Sequence, residues 1–263
     1  MIDLSVLDKS WLIALLGIFT LITIVYRITL PLTSSDYIIN VSLYILLGLT
    51  IAASTWKVLD KTNISGLNNL GFIGILVMGI VGIIAFVKML NTEPESYKLT
   101  HLYWITGIIC FSIMMYRSYR RSIDDNILKY VLAALSLFIL GAMTIIHVVP
   151  NYDFMKWQPQ LLQCLWIMIG VQLFDLIYLL FSGNTDGAIK RLKIYSIIDV
   201  VLFSGFMLVD FKQITSDSKF YEQLVGSTGL PQYQLINYPA KSTNMILDLA
   251  NMFTSLVNLG RKN

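Results

Sequence analysis

Four aspartates stand inside otherwise apolar runs of this 263-residue sequence: Asp175, Asp199, Asp210 and Asp248. An acid placed in hydrocarbon costs about 2.5–3.5 kcal/mol by insertion scales, so each is a candidate for proton or cation handling. Asp199 and Asp210 are eleven residues apart. At about 100° per residue that is roughly 20° beyond three full turns, so they share one helix face. Both lie near the ends of their run, where an acid can also simply reach the membrane interface. Asp175, close to Tyr178, reads more plainly as an acid that reaches headgroups or a neighbouring hydroxyl.

The fourth acid belongs to a pattern. Asn244, Asp248, Asn251, Ser255 and Asn258 recur at intervals of four, three, four and three residues. That spacing draws one polar stripe down a helix whose other positions are Met245, Ile246, Leu247, Leu249, Met252, Phe253, Leu256 and Val257. Amides around a carboxylate are costly against lipid, so the stripe should face the bundle interior or water. A helix lying flat on the membrane is the alternative, but such helices usually carry Lys and Arg on the polar face, and this face has none. Asn244 and Asn251 are therefore possible accessory groups to the acids.

The elements that must position these residues are membrane helices. Hydrophobic residues make up 56% of the chain and charged residues 13%, with a mean hydropathy of +0.69. A water-soluble domain carries about 25% charged residues. Runs long enough to span a bilayer cover Trp11–Leu30, Tyr37–Trp56, Leu70–Leu90, His101–Tyr116, Ile127–Val149, Leu161–Phe181 and Ile194–Val209, with a weaker eighth over Asn244–Leu259. The predicted fold is an all-α, polytopic membrane helix bundle: seven strong transmembrane helices plus a semi-polar C-terminal eighth, in a single membrane-embedded domain, 1–263. The flank of the first run is acidic rather than basic and no small-residue cleavage site follows, so it reads as a helix, not a signal peptide. The segment 211–243 is polar, rich in turn residues, and reads as a loop. Gly71, Gly74, Gly82 and Ala85 fall on one helix side and permit close packing.

Lys and Arg collect on cytoplasmic loops. Twelve of the 19 fall at the N-terminus, the even-numbered connections and the C-terminus, and seven on the opposite side, which places both termini inside. Arg117, Arg120 and Arg121 read first as part of that signal and second as an anionic-lipid site. Asn63-Ile64-Ser65 has glycosylation spacing but falls on the inside, so it reads as chance.

Soluble-enzyme chemistry finds no support. There is no phosphate-binding glycine loop, no histidine pair at zinc spacing and no Ser-centred nucleophile elbow. His101 and His147 lie at helix ends, where a lone His is usually a local hydrogen-bonding group. Cys110 and Cys164 sit in separate apolar runs as small hydrophobes. A net charge of +3 does not call for nucleic acid. The expectation is a protein that is not an enzyme and whose surroundings are the lipid bilayer.

Two stretches carry a family resemblance. Phe203-Ser204-Gly205-Phe206-Met207-Leu208-Val209-Asp210-Phe211-Lys212-Gln213-Ile214 resembles the late-helix pattern of the Bax inhibitor (transmembrane Bax-inhibitor-motif) family, running from Phe-Ser through an aromatic to Asp, then Gln and Ile. Leu247-Asp248-Leu249-Ala250-Asn251-Met252-Phe253, ending near Leu259-Gly260, is similar to the family's last segment. The resemblance implies a pH-sensitive calcium-leak channel or cell-death modulator in an intracellular or bacterial membrane. It implies Asp210 and Asp248 as paired pore carboxylates, with Ca²⁺ as the ion they would bind and no other cofactor. Two carboxylates close together in a poorly solvated site cannot both ionise freely, so the pair would keep one proton and titrate as a unit. Losing it would leave a negative site for a hard cation. Against the family's seven helices the chain has eight runs, so 1–35 reads as an added N-terminal helix. The connection between the two acids is long, and Leu70–Leu90 holds no acid.

Two other readings stand beside the channel. One is a non-conducting structural membrane subunit of a larger assembly, such as a virion membrane or organellar complex. The other is a transporter using Asp175 and Asp199 as a proton or cation relay.

Overall fold

The computed structural model describes residues 37–62, 72–93, 96–182, 187–228 and 236–261, and among them the regular structure is helical throughout. Seven α-helices follow one another: α1 (Tyr37–Thr62), α2 (Phe72–Leu90), α3 (Tyr97–Asp124), α4 (Leu128–Val148), α5 (Gln158–Ser182), α6 (Ala188–Thr228) and α7 (Tyr238–Gly260), with a 3-10 turn at Phe154–Trp157 before α5. The Trp11–Leu30 run, the 1–35 segment, Asn63-Ile64-Ser65 and Gly71 lie outside the described residues.

Five of the seven helices (α1, α3, α4, α5 with its preceding turn, and α6) are long and apolar enough to cross a membrane. The seven strong spans expected from sequence reduce to these five among the described residues. The apolar stretch Gly74–Leu90 of α2 is shorter than a full span. The described chain is thus an all-helical, multi-pass membrane protein.

The polar segment 211–243 corrects the expectation of a loop. It is helical to Thr228 and again from Tyr238. No Gly or Pro interrupts Phe211–Val225, and its small polar residues bond along the helix rather than breaking it. Thr215 Oγ1 donates to the Phe211 carbonyl at 2.9 Å, and Ser218 Oγ donates to Glu222 Oε1 at 3.0 Å.

The chain forms two compact units, Met1–Arg117 with Asp217–Ile246, and Ser118–Ser216 with Leu247–Asn263. In the first, Tyr37, Val41, Tyr44, Trp104, Ile108, Tyr238 and Met245 are almost fully buried. Tyr44 packs against Trp104 edge-on and against Tyr238 face-on, with centroids 5.6 and 6.0 Å apart. The small-residue side of α2 does what its composition suggests. A Cβ on Gly82 would lie 3.3 Å from Cys110 Cβ, and the Phe86 ring covers Gly107, so α2 and α3 approach closely there. Asn237 begins α7 as its N-cap, Oδ1 accepting from Ala240 N at 3.0 Å, while its amide donates to the Met89 carbonyl at 3.1 Å. Lys241 Nζ reaches Asp217 Oδ2 at 2.8 Å, and the Tyr37 hydroxyl approaches the same oxygen at 3.5 Å.

In the second unit, α4 and α5 show large apolar side chains outward: Leu137, Leu140, Trp166, Phe174 and Phe181 are all at least 60% exposed. Large apolar side chains turned outward in this number make lipid the fitting solvent. Asn126, at φ 56°, makes the turn from α3 to α4, a left-handed position that Asn tolerates. Pro150 follows the end of α4, and there Tyr152, Phe154 and Trp157 cluster with centroids 4.7–5.9 Å apart. Such an amphipathic trio suits the membrane interface. Lys212 Nζ donates to the Pro150 carbonyl, setting that end of α6 at the same level. From Lys193 to Lys212 is about 28 Å of helix, close to the ~30 Å of a hydrocarbon core.

Candidate functional site: a carboxyl pair and the polar face shared by α6 and α7

Within the second unit α6 and α7 meet along their polar faces. On α6, Asp199, Phe203, Phe206 and Asp210 follow at intervals of four, three and four, a single stripe. On α7, Asp248, Met252 and Ser255 do the same. The carboxyl groups of Asp210 and Asp248 are neighbours and act on one another directly. A hydrogen bond forms between two carboxyl groups only where one of them holds a proton, since a carboxylate only accepts. Asp248 is 8% exposed, and its Oδ2 has no hydrogen-bond partner among the described residues. Asp210 is half-buried, one turn or less from Lys212 and hence near one membrane interface. The two acids that the resemblance paired are therefore neighbours.

The second acid of the α6 stripe lies deeper. Asp199 accepts from Gln172 Nε2 of α5 at 3.1 and 3.4 Å, and the Ser255 side chain of α7 lies beside it. It is half-buried, and Ser255 is buried. Asp199 stands about 9 Å along the helix from Lys193 and about 16 Å from Asp210.

Asp175 is held by a base rather than a hydroxyl. Its Oδ1 pairs with Arg191 Nε at 2.8 Å, in partly buried surroundings. Gly187, at φ +73°, opens α6, and a Cβ there would lie 3.5 Å from Arg191 Nη1. Arg191 counted in the sequence only as an orientation signal, because its acid lies on another helix, sixteen residues away.

The stripe on α7 resolves unevenly. Asp248 and Ser255 are buried, Asn251 and Asn258 are half-buried, and Asn244 is exposed. Gln172 was missed, although an amide in the middle of an apolar run is a visible signal of the same kind as the aspartates. Among the described residues no group of three or more His, Cys, Asp or Glu side chains could hold a metal ion. What the site offers a cation is a pair of carboxyls, not a closed cage of the six to eight oxygens that calcium takes in a storage site. The two cysteines are free; Cys110 is buried as expected, and Cys164 is exposed on α5 rather than packed inside the chain.

Neighbouring acids on α6 and α7, each within its own sequence motif, are what the resemblance to the Bax inhibitor family implied. The family model described as inhibitor of apoptosis-promoting Bax1 matches residues 34–263. The chain belongs to the Bax inhibitor family. No curated protein and no solved structure matches it.

Proposed function

We propose that this protein is a pH-sensitive calcium-leak channel whose gate is the Asp210–Asp248 pair, and that through calcium release it modulates cell death, as the family's description suggests. The observation that carries the reading is the close approach of two acids on α6 and α7, with Asp248 buried and its Oδ2 without a hydrogen-bond partner among the described residues. While the pair holds its proton, the two helices are tied together and the site carries at most one negative charge. Without the proton, two carboxylates repel one another at short range and present oxygen ligands to a hard cation. Protonation closes the path and deprotonation opens it. The Lys and Arg distribution supports an orientation in which Asp210 lies toward the non-cytoplasmic side.

The test is calcium entry into proteoliposomes between about pH 6 and 8. Wild-type flux should rise with pH, and Asp210→Asn and Asp248→Asn should each remove the pH dependence. A flux through the folded wild-type protein that ignores pH would sink the gating mechanism. No flux at any pH would favour the second reading, a non-conducting structural subunit of a larger membrane assembly. The broad apolar outer faces of α4 and α5 support that reading, since partner helices could cover them as well as lipid can.

A further inference from the structure

We propose that Asp199, with Gln172 and Ser255, forms a second cation station on the same path, separated from the Asp210–Asp248 pair by an apolar constriction of Phe203, Phe206 and Met252. The proposal rests on the leak reading and deepens it. Its first support is register. The α6 stripe Asp199–Phe203–Phe206–Asp210 and the α7 stripe Asp248–Met252–Ser255 face one another, because they approach at both ends: Asp210 beside Asp248, and Asp199 beside Ser255. The residues between those ends therefore occupy the interval between two polar levels. Met252 is fully buried, Phe203 is 8% exposed, and the rings of Phe203 and Phe206 are 6.0 Å apart. An apolar interval between two wettable levels is how a narrow path stays closed to ions until it widens.

The chemistry of the lower level is the second support. A carboxylate, an amide and a hydroxyl converge there from α6, α5 and α7. These are hard oxygen donors, of the kind calcium accepts from Asp, Gln and Ser. With one carboxylate and two neutral groups the station binds a divalent ion weakly, as a site of passage requires, since an ion must leave as readily as it enters. Charge isolates Asp199 in that role. Asp175, the other acid of this part of α5 and α6, is already paired with Arg191, whereas the partners of Asp199 are neutral. An acid held by neutral donors within the hydrocarbon thickness retains its attraction for a passing cation.

Calcium entry into proteoliposomes, measured against calcium concentration at about pH 8, tests the station. Wild type is compared with Asp199→Asn, Asp199→Glu, Gln172→Ala and Asp210→Asn, each verified as folded and monodisperse. At low calcium, Asp199→Asn should cut entry about tenfold, the lower end of what a focusing charge supplies. Asp199→Glu should keep most of the flux, and both should keep the wild-type pH midpoint, which only Asp210→Asn removes. Should Asp199→Asn fail to fold, Gln172→Ala carries the same expectation at smaller amplitude. Equal flux in wild type and Asp199→Asn, or in wild type and Gln172→Ala where only that variant folds, overturns the station and leaves the leak intact. No calcium entry through wild type overturns both, and that trace alone tells the two failures apart.

Discussion

Arg191 Nε lies 2.8 Å from Asp175 Oδ1, joining the second half of α5 to the first turn of α6. Side-chain exposures of 32% and 18% put this pair between the surface case, worth about 0–1 kcal/mol, and the buried one, where loss of a single partner costs about 3–5 kcal/mol. Asp175→Asn should therefore lower stability by about 1–3 kcal/mol, because it removes the carboxylate charge that faces the partly buried guanidinium at 2.8 Å. Arg191→Ala should do the same, and the double variant should recover part of the loss. Thermal unfolding in detergent measures this, and calcium flux in the survivors should keep its pH dependence. A lost pH dependence in Asp175→Asn would show instead that this acid belongs to the conducting path.

A proton shared by Asp210 and Asp248 would be directly observable. Infrared spectra of the wild-type protein near neutral pH should contain the carbonyl band of a protonated carboxyl group, which fades as the pH is raised and the pair's hydrogen bond is lost. Asp248→Asn should abolish that band, since its amide can donate to Asp210 without a titrating proton. A spectrum with no protonated carboxyl at any pH above about 5 would contradict the shared proton.

The sequence stripes on α6 and α7 were legible because helix periodicity places residues on faces without knowledge of the neighbours. Asp199 and Asp210 share a face in the structure as the spacing requires, and Asp248 and Ser255 turn inward together. The meeting of Asp210 with Asp248 came from family resemblance, since periodicity says nothing about which faces touch. Gln172 and Arg191 show the limit more sharply. Each acts through a partner on another helix, and no local pattern marks a bond that tertiary packing alone creates. The segment after Asp210 misled for a different reason. Thr215, Ser216 and Ser218 resemble loop residues by type, yet Thr215 bonds back to the Phe211 carbonyl and Ser218 bonds forward to Glu222, so both stay inside the helix.

Two glycines in the membrane helices should respond oppositely to alanine. At Gly107 a Cβ would fall 2.5–2.9 Å from three atoms of the Phe86 ring, so the ring must leave its place between α2 and α3. Gly107→Ala should cost about 1–3 kcal/mol, the usual range for overpacking. Nothing lies within 4 Å of a Cβ at Gly141, in the middle of α4. Gly141→Ala should be neutral or stabilise by up to about 1 kcal/mol through helix propensity. Thermal unfolding of the two variants side by side checks the close approach of α2 and α3. Equal effects would mean that Gly107 is not at a contact.

The length of α6 makes a prediction about where water begins. Its 41 residues reach about 61 Å, twice the hydrocarbon thickness, so only part of it can be in lipid. If the membrane covers Lys193 to Lys212, the turns bearing Lys219 stand in water, on the side opposite Lys190. In a background with Cys110 and Cys164 replaced, Lys219→Cys should react with a membrane-impermeant maleimide added to one face of sealed vesicles, and Lys190→Cys only from the other. Val201→Cys, near the centre of the span and 70% exposed at the helix surface, should stay unlabelled from both faces. Labelling of Lys219→Cys and Lys190→Cys from the same face would mean that α6 does not cross. In that case Asp199 and Asp210 could not be successive levels of one path.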